Sequence, residues 1–170
     1  MRRRTRLFVV LAVFVAGFSI VGSGAFSTVT AERTVSVNVA GDDAALLELD
    51  PHSGPNGAYA GLNAGELEIN FDDVSADGVN QNATTTLENV FNVTNSGTQS
   101  TSVNITKTGA NAGLVTFNTS DGTRIDGGSG NAVSVGTGET IEVTIYIDTT
   151  GRNLASGDTL LDSITIHAEA

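Results

Sequence analysis

The sequence predicts an all-β fold, an antiparallel β-sandwich of jelly-roll or immunoglobulin-like topology preceded by an N-terminal signal or transmembrane helix. Three observations predict it. Past residue 33 the apolar residues recur every second position rather than every third or fourth. The alternating stretches are short, eight or nine in number, and separated by Gly, Asn and Asp clusters that supply turn chemistry. Such spacing suits strands with one wet and one dry face, the pattern of two antiparallel sheets packed on each other.

The first element is the leader. Residues 1–6 carry Arg2, Arg3, Arg4 and Arg6, and residues 7–21 are an uninterrupted apolar run. A cationic start followed by such a run is a secretory signal. Ser23 and Ala25 are small residues at the −3 and −1 positions, so cleavage is expected between Ala25 and Phe26, with a second candidate after Ala31. The uncharged run 7–31 is also long enough to cross a bilayer as an uncleaved helix, which needs about 20 residues. Either way the arginines stay inside and the rest of the chain lies outside. The Arg3-Arg4 pair hints at twin-arginine export, but Arg6 stands where that signal prefers an apolar residue, and the general secretory route fits better. The expected organisation is therefore residues 1–25 as signal peptide or membrane anchor, 26–33 as the mature N-terminal segment, and 34–170 as the sandwich domain.

The strands follow in order. Residues 34–39 place Val35, Val37 and Val39 on one face, and residues 44–49 form a second, shorter candidate. Residues 66–71 turn Leu67, Ile69 and Phe71 inward against Glu66, Glu68 and Asn70. Residues 90–94 are less regular, with Phe91 and Val93; residues 102–106 offer Val103 and Ile105, and residues 114–118 offer Val115 and Phe117. Asn95-Ser96-Gly97 and Gly109-Ala110-Asn111 are the turns between them. Residues 132–135 form a short strand. Residues 141–147 are the most regular, with Ile141, Val143, Ile145 and Ile147 inward, and residues 163–168 close the chain with Ile164, Ile166 and Ala168. Two stretches read as long loops: 51–65, with Gly54-Pro55-Asn56-Gly57, and 120–131, whose Asp121-Gly122 is alternatively a hairpin turn.

Composition narrows the function. Cysteine is absent, which removes disulfides, thiolate nucleophiles and sulfur-ligated metals. All 19 acidic residues lie at or after Glu32, where only Arg33, Lys107, Arg124 and Arg152 oppose them, a net charge of −15. That surface repels phosphates and anionic lipid, which excludes nucleic acid as a partner and leaves the leader as the only membrane contact. Acidic excess on this scale repels itself in dilute buffer and is relieved by molar salt, where the screening length falls to about 3 Å. With one lysine among 170 residues, the composition is that of a protein from an extreme halophile.

Chemistry is sparse. His52 follows Pro51 in a loop and His167 lies in the last strand, with no metal-ligand spacing between or around them. A surface histidine and a strand-face histidine are the plain readings. No nucleophile elbow, phosphate loop or dinucleotide fingerprint is present. Paired carboxylates are plentiful, but in so acidic a chain nearly any two strand ends present a pair, and no sugar-stacking aromatic platform accompanies them. The chain is therefore read as not an enzyme. Asp73, Ser75 and Asp77, followed by Gly78, match the first half of a calcium loop, whereas position twelve is Thr84 instead of a bidentate Glu. An acidic turn is the alternative, and calcium is the only cofactor suggested. Asn82, Asn92, Asn104 and Asn118 each begin a glycosylation sequon.

The leader ending Gly22-Ser23-Gly24-Ala25-Phe26-Ser27, followed at once by a strand, resembles small secreted haloarchaeal proteins of unknown function, over nearly the whole chain. Phe26 and the stretch Phe91-Asn92-Val93-Thr94-Asn95-Ser96-Gly97-Thr98 are also similar, at fold level, to the camelysin and TasA type of biofilm-fibre subunit, over the leader and a few strands. The second resemblance implies self-association by donation of an N-terminal strand, here within residues 26–39, to the next subunit. Pairing of 34–39 inside its own sandwich is the alternative. Together these readings lead to an exported, salt-adapted structural protein of the cell surface, a fibre subunit in its sharpest form. A membrane-anchored monomeric binding or adhesion module is the second reading, and an acidic exoenzyme the third.

Overall fold

The computed structural model describes residues 40, 45–71 and 78–170, all within the unit Asn38–Ala170. Among them nine strands form three antiparallel sheets, and no helix exceeds five residues. The expected strand 34–39 lies outside the described residues.

The largest sheet contains β1 (Leu47–Pro51), β4 (Thr84–Asn95), β6 (Val115–Thr119) and β8 (Thr140–Asp148), in the order β1-β4-β8-β6. A three-stranded sheet places β5 (Thr101–Thr108) between β7 (Val133–Val135) and β9 (Ser163–Glu169). The third is a hairpin of β2 (Ala60–Asn63) and β3 (Glu66–Ile69). Eight of the nine correspond to stretches expected as strands from the sequence, because the period of two is a property of the strand itself. One core collects the inward residues: Phe91 and Val93 from β4, Val103 and Ile105 from β5, Val115 and Phe117 from β6, Val135 from β7, and Val143, Ile145 and Ile147 from β8. Both larger sheets therefore bury their apolar faces in the same cluster.

Three details depart from the expected strands. The 44–49 candidate begins three residues later, as Leu47–Pro51, because pairing with β4 runs from Leu47 opposite Asn95 to Pro51 opposite Phe91. Leu46 is left 77% exposed. The stretch 51–65 is not a bare loop. It holds a 3-10 turn, Pro55–Tyr59, and strand β2, which returns into β3 through Ala64 and Gly65, both at positive φ. Two such residues make a type I′ hairpin turn. Gly57 is required in the 3-10 turn, since a Cβ there would lie 1.6 Å from the His52 carbonyl oxygen.

Strand β4 is long but broken. Leu87 faces Ile145 and Phe91 faces Val143, so four steps on β4 match two on β8. Asn89 sits in this bulge at φ 55°, and the lost alternation buries the adjacent Val90 and Phe91 together. The irregularity of residues 90–94 in the sequence has this cause. At the far end of β4, buried Asn95 donates to the carbonyls of Gln99 (2.8 Å) and Val135 (2.9 Å) and accepts from Gly97 N–H (3.0 Å). One side chain thus shapes the expected Asn95-Ser96-Gly97 turn and ties it to β7.

The stretch 120–131 begins with the alternative turn. Gly122, at φ 87°, closes a three-residue loop in which Thr119 N–H donates to Thr123 carbonyl at 2.8 Å. Residues 124–127 then run between the two large sheets. Ile125 N–H donates to Phe117 carbonyl on β6 (3.0 Å), while Ile105 N–H on β5 donates to Ile125 carbonyl (2.8 Å). This segment covers the outer edge of β6 and continues the edge of β5 that β7 occupies only at Thr101–Val103.

Candidate functional site

Two features stand out from the fold. The first is a cleft of about 740 Å³ at one end of the domain. Its apolar lining includes Leu67 of β3, Val115 and Phe117 of β6, Ile145 and Ile147 of β8, and Leu161 just before β9. The β6 and β8 residues are inward-facing core positions that alternation alone places on the dry side. The cleft thus lies against the edge of the core between β3 and the start of β9, at the end of the sheet where Thr84 pairs with Asp148.

The second feature is a buried carboxylate. Asp126 is 0% exposed and lies in the 124–127 segment among Ile105, Val115, Phe117 and Ile125, all buried. Arg124 Nε donates to its Oδ1 at 2.7 Å and Arg124 Nη2 to its Oδ2 at 3.1 Å. Phe117 N–H donates to Oδ1 at 3.3 Å. Lys107 Nζ donates both to Oδ2 and to the Val115 carbonyl. The Lys107 side chain is 11% exposed and that of Arg124 54%. Burial pushes the Asp126 carboxyl up, but the hydrogen bonds and charges of Arg124 and Lys107 outweigh it and hold the group below its ordinary value. Two of the four cations after Ala31 are committed here.

This cluster escaped the sequence reading. A partial signal existed: extending the β5 alternation past Val103 and Ile105 puts Lys107 on the same, core-facing side. Asp126 gave none, because an aperiodic segment reads as a surface loop.

The histidines are placed as structural residues. His52 Nδ1 accepts Gly54 N–H at 2.9 Å, which puts the ring proton of the neutral form on Nε2, 3.4 Å from Glu142 Oε1. His167 Nε2 meets Thr106 Oγ1 at 2.8 Å across β5 and β9. The four sequon asparagines are not gathered. Asn82 is exposed, at φ 50°, and accepts from Gly151 N–H at 2.8 Å. Asn92 and Asn118 are half-buried on opposite flanks of β8, opposite Glu142 and Thr144, and Asn104 is only 5% exposed. Asp73, Ser75 and Asp77 lie outside the described residues, as do Ala25 and Phe26. Among the described residues no three His, Asp or Glu side chains converge as a metal site, and no helix is long and apolar enough to cross a membrane.

No family model and no curated protein matches this chain.

Proposed function

We propose that this chain is an exported, salt-adapted structural protein of the cell surface, which self-associates by placing the N-terminal strand of one copy in the cleft of the next. The two larger sheets, sharing one core, form a β-sandwich in this reading.

The position of the cleft carries the proposal. The chain enters β1 at Leu47, beside Asn95, whereas the cleft floor lies five to seven residues along β8 from Thr140, about 17–23 Å away. Val39 is eight residues before Leu47 and can lie at most about 28 Å from it. Filling the cleft with residues 34–39 of the same chain would take up about 60–80% of that reach, while a neighbour's strand meets no such limit. The alternating Val35, Val37 and Val39 would bring one apolar face to the cleft, and β9, partnered only by β5 among the described residues, supplies a strand edge beside it. Exit at one end and reception at the other is a head-to-tail contact, which propagates into a filament.

The test is deletion of residues 26–39, followed by size-exclusion chromatography and electron microscopy in molar salt. Loss of oligomers is expected; unchanged oligomers would overturn the proposal. A second reading, a monomeric module anchored by an uncleaved leader, draws on the uncharged run 7–31. N-terminal sequencing of material from cells separates the two: an intact Met1 start favours the anchored module, and a start at Phe26 or Glu32 favours assembly.

A further inference from the structure

Lys107 is the one lysine of the chain, and it lies against the carboxylate of Asp126 in the interior. As an ion pair the arrangement carries a surplus. Arg124 alone reaches both oxygens of Asp126 and, being half exposed, keeps access to water. Lys107 is then a second cation on one carboxylate, held among apolar side chains where charge is costly. A composition that has otherwise discarded lysine retains it at this position.

The surroundings also suit a reaction between the two groups. Phe117 N–H and Arg124 Nε both point at Oδ1, as donors to an oxyanion would. The Val115 carbonyl already accepts from Lys107 Nζ, so an amide N–H formed there has its acceptor in place. An amide oxygen at Oδ1 keeps its two donors, and no polar atom of the product is left unsatisfied.

We propose that Lys107 and Asp126 are joined by an intramolecular amide bond formed after folding. A proton passes from Lys107 Nζ to Asp126 Oδ2, giving amine and acid. The amine attacks Cγ, forming the Nζ–Cγ bond, while charge develops on Oδ1 between Arg124 Nε and Phe117 N–H. The Cγ–Oδ2 bond then breaks, and Oδ2 leaves as water with the second proton from Nζ. One ammonium and one carboxylate become one amide and one water, with no change in net charge and no co-reactant. The bond ties β5 to the 124–127 segment across 19 positions of sequence, a covalent staple in a chain without cysteine.

Intact-mass spectrometry of the purified protein, set against the sequence from its observed N-terminus, tests this directly. The protein is expected to be lighter by one water, and proteolysis is expected to release a branched peptide with Lys107 joined to Asp126. Lys107→Arg, which keeps the charge but cannot form the amide, is expected to restore the full mass. An unmodified protein at its full sequence mass would overturn the proposal. So would a water loss that fragmentation maps elsewhere, such as a succinimide at Asp121-Gly122.

Discussion

Asp126 has no contact with solvent, so its charge is balanced entirely by protein groups: two cations and the Phe117 N–H. Removing it strands Lys107 in an apolar environment. Asp126→Ala is expected to cost about 3–5 kcal/mol, read by chemical denaturation in molar salt. Acid sensitivity follows from the same residue. An unreacted Asp126 titrates below its ordinary value, because the pull of Arg124 and Lys107 exceeds the upward push of burial. A carboxyl with a depressed folded pKa stabilises the fold above its unfolded pKa of about 3.9, and that stabilisation is lost as pH falls through the folded value. Asp121 and Asp148 act in the same direction, drawn down by the hydroxyls and N–H groups of neighbouring threonines. The amide does not titrate. Below about pH 4, Lys107→Arg is therefore expected to lose thermal stability more steeply than the amide-linked parent chain, whose remaining acid loss comes from the other carboxylates. Parallel melting curves from pH 6 to pH 2 check this.

Among the elements, the turns explain where local rules and observed geometry part. Ala64 adopts φ 53° in the β2–β3 turn, a conformation unfavourable to alanine and natural to asparagine. Ala64→Asn is expected to stabilise the domain by about 0.5–1 kcal/mol, measured as a shift in denaturation midpoint. Asn89 is the opposite case. Its φ of 55° suits the residue, and its N–H donates to Thr144 Oγ1 at 3.1 Å, holding the bulge against β8. Asn89→Val is expected to cost about 1–2 kcal/mol, since a β-branched residue resists that conformation. These positions also mark how far strands were legible. Strand β8 could be read from its alternating isoleucines and valine, whereas β2, with the sequence Ala-Gly-Leu-Asn, has too little β-forming character to stand out from the loop around it.

For the whole molecule, charge is the dominant variable. Fifteen uncompensated negative charges after Ala31 repel across a small domain, and the screening length shortens from about 10 Å at 0.1 M salt to about 3 Å at 1 M. The melting temperature is expected to rise steeply over that range; a flat response would refute salt adaptation. The same screening lets like-charged copies approach, so head-to-tail assembly is expected to need molar salt as well.

The covalent order of residues, read alone, sufficed for the strand-rich character, most inward faces and the acidic excess. Each is either a local periodicity or a sum over residue types, and neither depends on what lies across the fold. Strand pairing, the cleft beside β9 and the meeting of Lys107 with Asp126 are of another kind. They join groups far apart along the chain, and long-range packing selects among many pairings that local preference leaves nearly equal in free energy.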